Sequence, residues 1–240
     1  MQINQVSVVV PVRNEEGNVA SLIGEIDTAL KHITHEIIYV DDGSTDNTYS
    51  QLKSLQSQFK QLKIVRHAQS CGQSTAVRTG VKAAQYAWVA TLDGDGQNDP
   101  ADILKLMVAI TDGIDLAGGN RRASRRDTWI KRISSVIANT VRSKMLNDDT
   151  PDTGCGLKLF KREAFLDLPY FDHMHRFLPA LIKRRGGKIV SVPVAHRNRE
   201  HGKSNYGTID RLLVGIVDLF GVAWLQRRAK VPQLIEDKVV

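Results

Sequence analysis

Apolar residues in this chain alternate between short unbroken runs and stripes at helical spacing. Val6–Val10 is a continuous β-branched run bounded by Pro11, which predicts a strand buried on both faces. A helix is predicted to begin at Asn14–Asn18, with Val19, Leu22, Ile23 and Ile26 as its apolar stripe. Glu36–Val40 predicts a second strand, ending in Asp41-Asp42-Gly43-Ser44. Thr45 to Phe59 predicts a second helix, with Leu52, Leu55 and Phe59 on one face. Leu62–Arg66 predicts a third strand, Ser74 to Ala84 a third helix, and Val89–Leu92 a fourth strand. This alternation from residue 6 to residue 110 predicts an α/β fold with a parallel, doubly wound sheet. Ligands of such sheets bind beyond the carboxyl ends of the strands. Pro11–Glu15, Asp41–Asp46 and Asp93–Gln97 all fall at those ends.

The pattern changes after Leu116. A short strand is predicted at Asp115–Ala117, and another at Ile189–Val194. Between them Arg121, Arg122, Arg125, Arg126, Lys131, Arg132, Arg142 and Lys144 crowd one segment. Ile209–Leu225 is mostly apolar, with Leu212, Leu213, Ile216, Leu219, Phe220 and Trp224 at helical spacing and Arg227-Arg228 after them. This predicts either an amphipathic helix lying in a membrane interface or a core-packing or dimerising helix. The chain divides on this reading into a catalytic domain, 1–208, and an amphipathic helix and tail, 209–240.

Composition narrows the partners. The chain has 240 residues, 42% of them hydrophobic, enough for one substantial core. Its net charge of +7 favours nucleic acid, anionic lipid or phosphorylated substrates, without choosing among them. Two cysteines, Cys71 and Cys155, are too few for a disulfide framework and point to a reducing compartment. Met1–Gln5 is not a basic leader, and no run approaches the roughly 18 apolar residues that span a bilayer, so neither a signal peptide nor a transmembrane helix is expected.

The run Thr91-Leu92-Asp93-Gly94-Asp95-Gly96-Gln97 carries the chemistry. It delivers two carboxylates, one residue apart, onto a Gly-rich turn at a strand end. Such a turn suits a hard divalent cation that keeps coordination positions for substrate phosphates. A polar turn closed by Asx hydrogen bonds is the alternative.

Three motifs together resemble the inverting GT-A glycosyltransferases of family 2. They are Pro11-Val12-Arg13-Asn14-Glu15, Val40-Asp41-Asp42-Gly43-Ser44-Thr45-Asp46 and Asp93-Gly94-Asp95-Gly96-Gln97. Gly72–Gly80, Gly119-Asn120-Arg121, Asp152-Thr153-Gly154-Cys155-Gly156, His175–Pro179 and Arg197–Tyr206 narrow the resemblance to the polyprenyl-phosphate sugar synthases, which include dolichyl-phosphate mannose synthase. The resemblance spans roughly Val6 to Gly221. It implies a mostly parallel, Rossmann-like GT-A sheet and an enzyme using Mg²⁺ or Mn²⁺. The donor is a UDP- or GDP-sugar and the acceptor a polyprenyl phosphate at the cytoplasmic face of a membrane. A homo-oligomer or a membrane-protein partner stays open.

By the same resemblance, Asp95 and Gln97 hold metal, and Asp93 contacts sugar or ribose beside it. Asp41 reads the base, with Asp42 supporting its loop. Pro11, Arg13 and Glu15 line base and ribose, although Glu15 would also favour a helix N-terminus. Arg78 either contacts phosphate or pairs with an acid. Arg121 is placed to grip a phosphate bidentately. Asp152 is either a catalytic base or a partner that orients arginines.

The acceptor chemistry favours the second role. A sugar hydroxyl must lose a proton to a base, whereas a lipid monophosphate, with a second pKa near 6, is already an anionic nucleophile. Where hydroxyl-transferring family 2 enzymes usually carry an acidic pair, this chain has His173-Met174-His175-Arg176. His175, Arg176, Arg197, Arg199, Lys203 and Ser204 are therefore expected around the phosphates, with capping or an internal ion pair as the alternative for His175 and Arg176. Three rivals remain at this stage: a family 2 enzyme acting on a hydroxyl, a nucleotidyltransferase, and a basic module binding nucleic acid or acidic lipid. The last leaves Asp93, Asp95 and Gln97 without a purpose.

Overall fold

The structure, a computed structural model, describes residues 3–121, 142–148, 150–198 and 208–232. Its element order is β1 (Gln5–Val12), α1 (Val19–Ala29), β2 (Thr34–Asp41), α2 (Thr48–Leu55), β3 (Leu62–Arg66), α3 (Gln73–Ala83), β4 (Trp88–Thr91), α4 (Asp102–Ala109), β5 (Ile114–Asn120), β6 (Lys158–Lys161), α5 (Arg162–Leu166), α6 (Leu178–Arg184), β7 (Lys188–Pro193) and α7 (Thr208–Arg227). A 3₁₀ turn, Met174–Arg176, leads into α6.

Seven strands form one sheet in the order β3-β2-β1-β4-β6-β5-β7. The β1–β2, β1–β4, β2–β3 and β5–β7 pairs are parallel, and β6 runs antiparallel between β4 and β5. The central strands are apolar on both sides because helices cover both faces. Side chains along a strand alternate faces. Val8, Val10, Ile37, Tyr39 and Ala90 accordingly join α1, α2 and α4 in one core, while Val9, Ile38, Val40 and Val89 join α3, α5 and α6 in the other.

The predicted parallel sheet is present, with one difference in composition. Lys158–Lys161 is a strand, and sequence reading passed over it because Lys-Leu-Phe-Lys is short and lysine-flanked. Its antiparallel direction has a consequence for the site. Lys158 pairs with Thr91, so β6 starts where β4 ends. The residues leading into β6, Asp152–Leu157, therefore arrive at the same sheet edge as Asp93.

The second helix is shorter than predicted, starting at Thr48 rather than Thr45. The preceding residues are laced to the loop after β1 instead. Asn14 N–H donates to Ser44 Oγ at 3.0 Å, Thr45 N–H to Asn14 Oδ1 at 2.8 Å, Glu15 N–H to Thr48 Oγ1 at 2.9 Å and Asn47 N–H to Glu16 Oε2 at 3.0 Å. Side chains suited to capping thus satisfy the neighbouring loop's backbone.

Candidate active site

The site is assembled at the carboxyl ends of β1, β2 and β4. The turn after β4 runs close over the end of β1: a Cβ on Gly94 would meet Pro11 O at 3.1 Å and overlap the Val12 side chain. A larger residue there would lift the turn from the sheet. Gly156, entering β6, has its Cα directly beneath the Asp93 carboxylate, which any Cβ would overlap. Thr91 Oγ1 donates to the Gly156 carbonyl at 2.8 Å and fixes that approach.

Asp93 accepts from Gln73 Nε2 at 2.8 Å. Asp95 is 8% exposed, and its Oδ1 accepts from the Gln97 backbone N–H at 3.1 Å. Burial, then the neighbouring Asp95 charge, pushes the Asp93 carboxyl above its usual range, while Lys158, Arg121 and Gln73 pull it back. Two carboxylates held this close are suited to a cation. The side-chain donors on offer, two carboxylates and an amide oxygen, fit a hard ion such as Mg²⁺ or Mn²⁺. The Gln97 amide nitrogen leans toward the Arg197 carbonyl at 3.4 Å, which turns its oxygen the other way.

Arg121, the residue after β5, is a buried cation, 9% exposed. Its Nε and Nη2 donate to the two Asp152 oxygens at 2.8 and 3.0 Å, and its backbone N–H adds a third bond at 3.1 Å. Burial opposes the guanidinium charge, but the Asp152 bonds outweigh it and raise its pKa. Asp152 thus has the arginine partner that the orienting reading requires.

The aspartates after β2 are both engaged. Asp41 is fully buried; Oδ1 accepts from Ser44 N–H at 2.9 Å and Oδ2 lies 3.0 Å from Arg66 Nε, outside hydrogen-bond alignment. Asp42 accepts from Cys71 N–H, Gly72 N–H and Ser70 Oγ at 2.8 to 2.9 Å, and lies 2.7 Å from His67 Nδ1. Burial alone would raise Asp42; these bonds outweigh it and hold the carboxyl below its usual range. Asp42 thereby organises the 67–72 loop. Asp41, expected to read the base, is fully buried among these partners. Asp42, His67 and Cys71 bring ligand-type atoms within 4.8 Å of one another, but here Asp42 and His67 are bonded to each other.

Other expected residues fall in several environments. Pro11 lines the pocket behind Asp93, and Arg13 is exposed. Glu15 accepts from Asn18 Nδ2 at 2.7 Å, which ties it to the start of α1. Arg78 stacks on the Tyr170 ring at 4.7 Å. At His175, burial, then the charges of Lys158, Arg176 and His173, holds the pKa well below 6.5, which favours a neutral ring. Arg176 beside it is half-buried. Arg197 is engaged by carboxylates. Its guanidinium bonds Glu25 of α1 and lies 3.0 Å from Asp99, while its backbone N–H donates to the Gln97 carbonyl at 2.9 Å. It is a strut behind the Gln97 turn. Arg199, Lys203 and Ser204 lie outside the described residues, as do Arg122, Arg125, Arg126, Lys131 and Arg132. Arg142 is an internal group, bonded to Asp148 at 2.8 and 3.0 Å.

Sequence reasoning gave no role to Lys158 or Gln73. Lys158 is 4% exposed, and its Nζ donates to the Cys155 carbonyl. The available signal was a lysine inside the apolar run Leu157-Lys158-Leu159-Phe160.

The fold matches solved nucleotide-sugar enzymes. A mannosyltransferase from Pyrobaculum calidifontis, solved with GDP-Man and Mn²⁺, superposes with a TM-score of 0.70 at 18% identity, over 97% of this chain and 66% of that one. Glucosyl-3-phosphoglycerate synthase of Mycobacterium tuberculosis, solved with Mg²⁺ and UDP, gives 0.65 at 22% identity, over 96% and 81%. In sequence, the dodecaprenyl-phosphate galacturonate synthase of Rhizobium johnstonii is 34% identical over 229 residues, covering 93% of this chain and 68% of that protein. The undecaprenyl-phosphate 4-deoxy-4-formamido-L-arabinose transferase of Proteus mirabilis is 31% identical over 208 residues, covering 85% and 64%. The chain thus spans about two thirds of the length of these relatives. The glycosyl transferase family 2 model matches residues 7–168, two thirds of the chain. With its GT-A sheet and its Asp93–Gln97 turn at the strand ends, the chain belongs to glycosyl transferase family 2.

Proposed function

We propose that this protein transfers a sugar from a nucleoside diphosphate donor to a polyprenyl phosphate, with inversion at the anomeric carbon. The observation that carries this reading is the Asp152–Arg121 pair. Both Asp152 oxygens are engaged by the Arg121 guanidinium, which ties up the one acid of the Asp152–Gly156 motif that could serve as a base. A phosphate acceptor needs charge cancellation and no proton removal. The relatives named above, which carry polyprenyl-phosphate transfer in their names, agree with it.

On this reading Asp95 and the Gln97 amide oxygen hold the divalent ion, and Asp93 accepts from the donor sugar. Bound Mg²⁺ or Mn²⁺ neutralises charge on the departing diphosphate. Arg121, held rigid by Asp152, faces the phosphates. An oxygen of the lipid phosphate forms the new bond to the anomeric carbon. The old carbon–oxygen bond breaks in line, and its electron pair leaves with the nucleoside diphosphate. Arg197, expected around the phosphates, acts indirectly on this reading, by bracing the Gln97 turn from behind.

The acceptor is a membrane lipid, and α7 offers the means to reach it. Val217, Phe220 and Trp224 are 71%, 63% and 57% exposed on one face, with Arg227 and Arg228 at its end. Among the described residues no helix is long and apolar enough to cross a membrane. We infer that α7 lies in the interface as a peripheral anchor.

The test is a radiolabelled transfer assay with a panel of UDP- and GDP-sugars, undecaprenyl phosphate and Mg²⁺ or Mn²⁺. Label moving into the organic phase from one donor, and lost in Asp95→Ala, is the expected result. Label remaining aqueous with every donor, in folded protein that still binds UDP or GDP, overturns it in favour of a hydroxyl acceptor.

A further inference from the structure

Behind Asp93 lies a small pocket, about 20 Å³, lined by Pro11, Gln73, Asp93, Lys158, His175 and Leu178 among others. It has room for one water-sized group. Three ionisable side chains converge on it, Lys158 buried and Asp93 and His175 half-buried. The Lys158 ammonium carries three N–H donors. Its hydrogen-bond partner among the described residues is the Cys155 carbonyl. Buried polar groups are normally satisfied, so the remaining donor capacity of a 4%-exposed ammonium calls for an oxygen.

His175 supplies a second donor in the tautomer that accepts from Ser74. The His175 backbone N–H donates to Ser74 Oγ at 3.2 Å, and the same oxygen lies 2.7 Å from His175 Nδ1, where its hydroxyl proton completes a two-bond link to the ring. Nδ1 is then the acceptor of a neutral ring, and Nε2 bears the hydrogen. Asp93, fixed by Gln73 and by its seat on Gly156, is the acceptor of the set. An ion pair's worth of charge, Asp93 and Lys158, leaves the pocket close to neutral. A hydroxyl, which both donates and accepts, fits that set; an ammonium would face Lys158 without compensation.

We propose that this pocket is a subsite for one hydroxyl of the donor pyranose, with Lys158 Nζ and His175 Nε2–H donating to its oxygen and Asp93 accepting its proton. The subsite rests on the donor reading above and deepens it: the substrate is a sugar with a free hydroxyl at the position that enters the pocket, and an amino group there is rejected. His175 becomes a determinant of donor choice in place of the lipid-phosphate contact expected from its motif.

The experiment measures binding by titration calorimetry, with Mg²⁺ present, for UDP, GDP, a panel of their sugar conjugates and the monodeoxy analogues of the preferred conjugate. It compares the native chain with His175→Phe, His175→Gln and Lys158→Met. In the native protein, removal of one particular hydroxyl should weaken binding on the order of tenfold, the scale of a lost buried hydrogen bond. That discrimination should vanish in His175→Phe and Lys158→Met and return in His175→Gln, which keeps an N–H. Affinity for the free nucleoside diphosphate should stay within about twofold throughout. If Lys158→Met does not fold, the two His175 variants decide alone. Equal losses for free nucleotide and sugar conjugate in His175→Phe would make the role structural and overturn the proposal. So would a native protein indifferent to every deoxy position, which would leave the pocket to water. A native protein that prefers no sugar conjugate over free nucleotide would overturn the donor reading itself, and that result is visible before any variant is made.

Discussion

At the scale of single residues, the site depends on carboxylates whose roles are set by what donates to them. Asp152 is the sharpest case. Leaving Arg121 buried without its bidentate partner should cost about 3 kcal/mol of stability in Asp152→Ala, measurable by denaturant unfolding. Asp152→Asn, which keeps one acceptor oxygen, should lower kcat while leaving the acidic limb of the pH–rate profile in place. Loss of that limb would instead identify Asp152 as a base. Asp42 gives a second prediction. Its folded pKa lies below the unfolded value of about 3.8, so its stabilisation is present above that pH and disappears as pH falls through the folded value. Asp42→Asn should therefore destabilise the protein by about 2 kcal/mol at pH 7, and the gap between variant and native should close in acid below about pH 3.8. Thermal unfolding across pH checks this. The positions of these residues were legible from motif order, because Asp-x-Asp-x-Gln follows a strand end and Gly-Asn-Arg closes a strand. Their partners were not. Nothing in one dimension says that Asp152, thirty-one residues on, reaches Arg121, or that a neutral His175 and a buried Lys158 share a pocket with Asp93.

At the scale of elements, β6 is the piece that completes the site. A parallel strand in its place would have delivered Lys158 and Gly156 to the opposite edge. Because it is antiparallel, its first residues meet the end of β4. The close seat of Asp93 on Gly156 follows, and so does a prediction. Gly156→Ala places a methyl in the Asp93 carboxylate, which must swing away from Gln73. The variant should stay folded, since β4 and β6 keep their ladder, yet lose metal-dependent nucleotide-sugar binding by at least tenfold. Calorimetry alongside circular dichroism separates the two effects, and a variant that binds normally would show the contact to be unimportant. The periodic elements from β1 to β4 were legible because burial on both faces demands unbroken apolar runs. The four-residue β6 was not, since its pairing comes from the sheet's need for a strand between β4 and β5 and not from any local pattern. The start of α2 was misjudged for a related reason. Residues that look like helix caps were recruited by the loop after β1.

At the scale of the whole molecule, the question is how a chain of this composition meets a lipid. The inner face of α7 is committed: Leu219, Val222, Ala223 and Leu225 pack into the core beside α6, and Gln226 Nε2 donates to the Leu146 carbonyl at 2.8 Å. Its outer face leaves Val217, Phe220 and Trp224 in solvent, a stripe too apolar to be explained by the needs of the core. Arg184 Nε holds the Leu225 carbonyl at 3.0 Å, and Arg228 lies 5.9 Å from the Trp224 ring, so cations collect at the helix end. Toward its middle, Asp218 lies 3.3 Å from His173, which joins the helix to the turn that carries His175. An anionic bilayer would receive such a helix with its aromatic residues at headgroup depth and its basic residues against phosphate. Replacing Phe220 and Trp224 together by Asp should abolish co-sedimentation with vesicles containing anionic phospholipid. The same variant should keep its affinity for UDP or GDP, because the substituted positions face away from the sheet. Transfer to undecaprenyl phosphate in vesicles should then fall by at least tenfold, and detergent-dispersed acceptor should restore it. Unchanged vesicle binding, or a shift to monomer with no loss of lipid binding, would instead assign the stripe to contact between two copies of the chain.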